Sequence, residues 1–282
     1  MLRRWSIPLS TIVLTLGVLG LAGTASAAPA VHPATRVLPV AATVHGFNPG
    51  GVMVKHGTLH SAGRGLKGAT VQSSNWSGYA VTGANGAYSS VSASWTQPAA
   101  TCSGGRHGRG STTYGAFWVG LDGYNSASVE QTGTLIECVG STAEYAGWFE
   151  MYPAALTTYS NTLRPGDAMS ASVTFSGTET YTLVLKDSTQ GWTKTTTENE
   201  TGLDRSSAEV ITEAPCCTSS GGILPLADFG TVSYAGSSDN GSSMGTQSPT
   251  EIIMVDGSGN QEDTTSSMSS SGAFSNTWLR ST

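Results

Sequence analysis

The sequence predicts an all-β protein, a two-sheet antiparallel β-sandwich of the concanavalin or lectin-like jelly-roll type with a concave substrate cleft. From residue 75 onward, short segments of alternating apolar and polar residues are separated by Gly, Ser, Pro or Asn, which is typical of antiparallel strands. No amphipathic helix of useful length occurs. Ten or more short strands without helices bury their apolar side chains most simply between two packed sheets.

The alternation predicts the strands one by one along the chain. Between them, residues 103–111 are rich in Gly and Arg and residues 236–245 are rich in Ser and Gly, so both are predicted to be mobile connections. Strands are predicted at residues 91–98, 117–122, 169–175, 181–186, 208–213, 229–234, 252–255 and 274–279.

Strand parity assigns side chains to faces, because residues two apart in a strand point the same way. Trp118 and Asp122 are therefore expected to share one face of their strand. In a later strand, Glu150 lies on the same face as Trp148 and Tyr152. A face that mixes a carboxylate with aromatic rings is suited to holding an extended polymer.

The N-terminus predicts export. Residues 1–27 combine Arg3 and Arg4, an apolar run over residues 7–21 and a small-residue cleavage site at residues 25–27, which together indicate a signal peptide. A membrane anchor is the alternative, but the run is short, and no later segment has the roughly 20 apolar residues that cross a bilayer. We therefore expect a secreted, extracellular protein whose mature form has no membrane segment.

The charges are unevenly distributed. All 19 Asp and Glu residues lie at Asp122 or later, whereas residues 28–70 contain four Lys or Arg and four of the five histidines. We predict that residues 28–70 are a basic pro-segment and that residues 71–282 form the catalytic domain, with maturation between residues 63 and 72.

Without the pro-segment, seven Lys and Arg remain against 19 Asp and Glu, a formal net charge of −12. Nucleic acid is an unsuitable partner, since its binding needs clustered Lys and Arg. Such a chain is suited to acid, because its carboxylates lose their charge there and few basic groups remain to repel one another. The basic pro-segment is expected to inhibit the acidic domain near neutral pH and to leave as the carboxylates protonate.

The four cysteines belong to a chain with an export signal, so disulfides are the default interpretation. We expect a bridge between Cys102 and Cys138. The adjacent Cys216 and Cys217 form either a vicinal disulfide or two free thiols, and the sequence does not choose between them. No Cys or His spacing indicates a metal site, and no cofactor is expected.

Gln131 and Glu150 are the candidate catalytic residues. Glu150 is flanked by aromatic residues, and burial raises the pKa of a carboxyl so that it stays protonated in moderate acid. The amide of Gln131 donates hydrogen bonds at any pH. A Ser/His/Asp mechanism is disfavoured because only His107 remains after processing, and the two Asp-Thr/Ser-Gly loops of a paired-aspartate protease are absent.

An ordered set of motifs resembles the glutamic peptidase family, the eqolisins. The resemblance implies a β-sandwich with a substrate cleft, pepstatin-insensitive endopeptidase activity at acid pH and a Gln/Glu dyad, which corresponds to Gln131 and Glu150. The motifs are NWSGY at 75–79, the strand at 91–98, FWVGLDG at 117–123, QTG at 131–133, WFEMYP at 148–153, PGD at 165–167, SAE at 207–209 and LADFGTV at 226–232.

In the expected mechanism, Glu150 activates a water molecule as general base and then protonates the leaving amine, while Gln131 holds the water and donates to the oxyanion. The substrates are polypeptides, and the enzyme is expected to be a monomer. Substrate-binding roles are expected for Trp118, Asp122, Trp148 and Tyr152.

Two other functions fit parts of the sequence. A sandwich-type glycoside hydrolase would pair Glu150 with a second carboxylate such as Glu209, about 5 to 9.5 Å away on one concave surface. A lectin-like module would stack sugars on Trp118, Trp148 and Tyr152, but it would leave the pro-segment without a purpose.

Overall fold

The computed structural model describes residues 68–102, 112–215 and 222–281. The predicted signal peptide, the pro-segment up to residue 67, the connection at 103–111 and the pair Cys216 and Cys217 lie outside these ranges. The described residues form sixteen β-strands and one short 3-10 helix at Met244–Thr246. The strands are β1 Thr70–Ser73, β2 Trp76–Thr82, β3 Ser90–Thr96, β4 Thr112–Leu121, β5 Val129–Val139, β6 Thr142–Tyr152, β7 Thr157–Thr158, β8 Ala168–Phe175, β9 Thr180–Asp187, β10 Trp192–Asn199, β11 Ser207–Glu213, β12 Thr231–Asp239, β13 Ser242–Ser243, β14 Thr250–Met254, β15 Asp263–Thr265 and β16 Phe274–Trp278.

The strands form two sheets. The first sheet has the order β1-β14-β2-β11-β4-β5-β6-β7, and the second has the order β10-β9-β8-β3-β12-β16-β15, with β13 paired to β12. Among the described strands, every neighbouring pair is antiparallel except β1 with β14. The predicted two-sheet antiparallel sandwich is confirmed.

The main core lies between the sheets, because alternate residues of each strand point inward. Phe117 and Val119 from β4 and Leu183 from β9 are completely buried there. Phe117 also packs edge to face on Phe229 with ring centroids 5.4 Å apart. Complete burial of one such side chain contributes about 1.5–3 kcal/mol, so these layers hold the strands in fixed register.

The outer face of the first sheet carries a second apolar cluster, and we call this surface the site face. The other half of the strand alternation produces it, since Trp118 of β4, Leu135 of β5, Trp148 of β6 and Ile211 of β11 all point away from the second sheet. Each of these four side chains is almost fully buried. The site face is therefore a packed platform that can hold polar groups in precise positions.

Two segments illustrate how the structure differs from the sequence-based expectation. Residues 236–245 are not a long mobile connection, because β12 runs to Asp239 and returns through β13 into the 3-10 helix. The strand β10 was not predicted, since its residues are mostly Thr, Lys and Glu and show no apolar alternation. It is held as an edge strand by its pairing with β9.

A disulfide joins Cys102, which precedes β4, to Cys138 in β5, with the two Cα atoms 5.4 Å apart. This bridge was predicted from the sequence and is confirmed. In the described ranges, no helix is long and apolar enough to cross a membrane. The same ranges contain no group of three or more His, Cys, Asp or Glu side chains placed to hold a metal ion.

Two glutamates, Glu130 and Glu209, are completely buried. Burial raises the pKa of both carboxyls well above the usual value, and the negative charge of Asp122 raises both further. Above the pKa of an exposed glutamate, the unfolded chain releases these protons while the folded chain retains them. The free energy of unfolding therefore decreases as pH rises from about 4.5, the opposite of the usual behaviour of a salt-bridged carboxylate.

We expect Glu130→Gln to reduce this loss of stability at higher pH, because the amide has no proton to lose. Thermal unfolding of wild type and variant at pH 4 and pH 7 measures it. The fall in Tm between the two pH values should be smaller in the variant, with each kcal/mol of relief worth about 2–4 °C. An equal fall in both proteins would contradict this explanation.

Candidate active site

Gln131 and Glu150 face each other across two neighbouring strands. They are paired in the register of β5 and β6, and both point outward on the site face. Gln131 Nε2 donates a hydrogen bond to Glu150 Oε2 over 2.6 Å. The exposed fraction is 6% for Gln131 and 1% for Glu150. The structure thus brings together the amide and the carboxyl that the sequence singled out.

Glycine residues keep space around this pair. Gly133 lies in register between Trp118 and Trp148, and a Cβ at Gly133 would come within 2.2 Å of the Phe117 carbonyl oxygen. In β4, Gly120 lies opposite Gln131, and a Cβ there would come within 2.8 Å of the Trp118 ring. A larger residue at either position would displace the indole rings that surround the site.

The pKa of Glu150 is raised to about 8. Burial is the largest cause, the negative charge of Glu213 is the next, and the hydrogen bond from Gln131 acts in the opposite direction. Glu150 is therefore a neutral acid over the whole acid range. The sequence-based expectation of a raised pKa has the same direction and the same principal cause.

Glu213, at the end of β11, is a site residue that the sequence interpretation missed. It lies partly exposed on the site face, where it accepts hydrogen bonds from Trp118 Nε1 at 2.9 Å and Asn75 Nδ2 at 3.2 Å. Burial raises the pKa of Glu213 to about 7, while hydrogen bonds from Trp118, Trp76 and Asn75 lower it. The parity of SAEVITE could have identified it, because Glu213 shares a face with Ile211.

The predicted substrate-binding aromatic residues have different positions in the site. Trp118 is completely buried, and its N–H is used by Glu213 while its ring packs edge to face on Trp76, 5.0 Å away. Trp148 is 1% exposed, and no group in residues 68–102, 112–215 or 222–281 accepts a hydrogen bond from its Nε1. Tyr152 is partly exposed and packs against the cluster of the site face. Within the described ranges, the Trp148 N–H thus has no acceptor, whereas the Trp118 N–H is bound to Glu213.

The expected position of Asp122 on the substrate face is wrong. This residue adopts a left-handed backbone conformation with φ of 67°, which ends the regular alternation of β4. Its fully buried carboxylate accepts hydrogen bonds from the backbone N–H groups of Arg205 and Ser206 at 2.6 and 2.8 Å. Asp122 therefore anchors the segment that leads into β11.

Glu209, the proposed partner of Glu150 in a glycoside hydrolase, is completely buried. A carboxyl without solvent exposure cannot reach the bond of a bound polysaccharide in this conformation. The observation removes the specific pair on which that alternative was based. Among the described residues, the carboxyl whose negative charge raises the pKa of Glu150 is Glu213.

Comparison with known proteins identifies the family of this chain. The profile of the Peptidase A4 family matches residues 74–278. Scytalidopepsin B from Scytalidium lignicola is 31% identical over 172 residues, 58% of this chain and 61% of that relative. The chain thus spans less than two thirds of the length of this curated relative.

Solved structures show the same fold. Scytalido-glutamic peptidase with a peptide-based transition state analog matches with a TM-score of 0.60 at 26% identity, over 73% of this chain and 98% of that chain. Aspergilloglutamic peptidase from Aspergillus niger matches with a TM-score of 0.53 at 24% identity, over 59% and 99%, which supports the fold alone. Since the family profile covers most of the sequence and every residue of the site face discussed above, the chain belongs to the peptidase A4 family, the glutamic peptidases or eqolisins.

Proposed function

We propose that this protein is a secreted, pepstatin-insensitive endopeptidase that hydrolyses polypeptides at acid pH. The observation that carries the proposal is the contact of Gln131 with Glu150, beside the charge of Glu213, on one face of a glutamic peptidase fold. Acid pH is supported by the charge balance of the domain, because its many carboxylates lose their charge in acid and few basic groups remain to repel one another.

We assign the general base to Glu213, although the sequence interpretation assigned it to Glu150. Glu213 is the more exposed of the two carboxyls, and its donors Trp118 and Asn75 stabilise its anion, so it ionises first. Glu150 is nearly inaccessible and is bound directly to the amide of Gln131. Its role in the proposal is to fix the orientation of that amide.

In the proposed reaction, Glu213 moves one proton from the attacking water to the leaving amine, and Gln131 stabilises the oxyanion. The ionised carboxylate of Glu213 takes a proton from water as the water oxygen bonds to the carbonyl carbon of the substrate. Gln131 Nε2 has two hydrogens, of which one is held by Glu150 and the other is available for the oxyanion. When the intermediate collapses, the C–N bond breaks and Glu213 returns the proton to the amine.

The N–H of Trp148, which has no acceptor in the part of the chain that the structure describes, supports a further substrate contact with a peptide carbonyl oxygen. We expect Trp148→Phe to lower kcat/KM by about 5–10-fold, mainly through KM, since one hydrogen bond is lost. Steady-state kinetics with an extended peptide measure it. The matched control is Trp278→Phe, because Trp278 Nε1 is also buried without an acceptor among the described residues but lies in the second sheet. Equal effects of the two changes would remove Trp148 from the site.

The pro-segment is proposed to inhibit the domain by charge attraction. Most of the 19 acids in the domain are ionised at pH 6 and protonated at pH 3. A separately made peptide of residues 28–67 should inhibit the mature enzyme far better at pH 6 than at pH 3. Initial rates with and without this peptide, at both pH values and in low salt, provide the test. Equal inhibition at both pH values would rule out charge as the cause.

Secreted protein incubated with denatured casein or haemoglobin and with a panel of polysaccharides at pH 3 to 4 tests the function. We expect protein cleavage that persists in pepstatin and in a strong chelator, and no release of sugars. Cleavage of polysaccharides instead would establish the glycoside hydrolase alternative. Sugar binding without any hydrolysis would establish the lectin-like alternative.

A further inference from the structure

The turn between β1 and β2 is built around the hydroxyl of Ser73. Ser73 Oγ accepts hydrogen bonds from the backbone N–H groups of Asn75 at 3.3 Å and Trp76 at 3.0 Å. The same hydroxyl donates to Asn75 Oδ1 at 3.3 Å. The side-chain amide of Asn75, which is 1% exposed, is therefore held in one orientation by the last residue of the edge strand.

That orientation directs Asn75 at the carboxyl of Glu213. Asn75 Nδ2 donates to Glu213 Oε1, while Trp118 Nε1 donates to the other oxygen, Oε2. In addition, the backbone carbonyl of Asn75 accepts a hydrogen bond from Ala214 N at 2.9 Å, directly after Glu213. Side chain and main chain of Asn75 thus both fix the end of β11.

The edge strand itself is tied into the first sheet. β1 pairs in parallel with β14 from Thr70 with Glu251 to Ser73 with Met254. Thr70 Oγ1 donates to the carboxylate of Glu251 at 2.8 Å, and Glu251 N donates to the Ala69 carbonyl oxygen at 2.9 Å. The chain is consequently held in the sheet from Ala69 onward.

We propose that Ser73 and Asn75 are positioning residues for Glu213, and that β1 is therefore part of the mature enzyme, with the activating cleavage N-terminal to Thr70. This inference rests on the proposed function. It narrows the maturation window predicted from the sequence, residues 63–72, to its first part, because a cut within β1 would release the strand that holds the Asn75 amide. The boundary predicted between residues 70 and 71 falls inside this strand.

The positioning role is tested by the pH profile of kcat/KM. Asn75→Ala removes a donor to the Glu213 anion, so the acid limb should move to higher pH by about one unit. Ser73→Ala should move it in the same direction by less. Among the described residues, Glu150 is the titratable group whose pKa responds to the charge of Glu213. Glu150 is present in both variants, so it does not account for a difference between them. Gln72→Ala, an exposed change in the same strand, is the matched control and should leave the profile unchanged.

Glu213→Gln separates the two hypotheses. If it abolishes activity while Asn75→Ala leaves the acid limb in place, the positioning role is refuted and the proposed function stands. If Glu213→Gln retains full activity, the assignment of Glu213 as general base and the positioning role both fail, while peptide hydrolysis itself is tested separately by the cleavage of denatured protein. The N-terminus of the active secreted enzyme, read by mass spectrometry, is a second test that needs no variant. A start at or before Thr70 supports the inference, and an active enzyme that begins after Thr70 overturns it.

Discussion

Glu213→Gln should lower kcat/KM for a peptide substrate by about 10²- to 10⁴-fold, the usual contribution of a general acid–base group. The amide keeps the size of the side chain and can still accept hydrogen bonds from Trp118 and Asn75 through its oxygen. It can neither take a proton from water nor return one to the leaving amine. The loss should therefore appear in kcat, with the Tm near that of wild type.

Two further glutamates provide the comparison. Glu209 lies in the same strand as Glu213 but is completely buried. The kcat/KM of the Glu209→Gln variant should therefore stay close to that of the wild type. Glu150→Gln should have an intermediate effect, because the new amide can still accept the hydrogen bond from Gln131. If Glu150→Gln is inactive while Glu213→Gln is nearly normal, the general base is Glu150, as the sequence interpretation had it.

Gln131→Ala should lower kcat by about 10²- to 10³-fold, the typical cost of removing one oxyanion donor. The change also leaves the carboxyl of Glu150 without its 2.6 Å hydrogen bond, which lowers the pKa of that group in the native protein. The pKa of Glu150 should therefore rise in the variant. A titration of activity against pH measures both effects, and an unchanged kcat would exclude Gln131 from the reaction.

A rise in KM alone would have a different meaning from a fall in kcat. Substrate binding that weakens without a change in kcat indicates contact with the ground state as much as with the transition state. Such a result for Gln131→Ala would place the amide in substrate binding, beside Trp148, and would leave the oxyanion without an assigned donor. The two parameters should accordingly be measured separately.

The strands with one apolar face could be predicted from the sequence. In β8, inward apolar residues alternate with Ser and Thr, and a period of two has no other simple explanation. The same parity placed Glu150 with Trp148 and Tyr152, where the structure has them. Sequence was sufficient here because each inference needed only residues within one strand.

Other features depend on contacts between distant segments. Glu213 approaches Asn75 across 138 residues of sequence and Trp118 across 95, so its hydrogen bonds could not be inferred from any local pattern. In the sequence Asp122 continues the alternation of its strand, but its left-handed φ turns the carboxylate toward Arg205 and Ser206. In both cases the pairing of β11 with its two neighbours, β2 and β4, brings the partners together.

One measurement tests the central claim directly: the initial rate of denatured haemoglobin hydrolysis at pH 3 to 4 in excess pepstatin, for wild type and Gln131→Ala purified in parallel. The account predicts rapid cleavage by the wild type and at least about a 100-fold slower rate in the variant. Equal rates in the two proteins, or no cleavage by the correctly processed wild type, would contradict it.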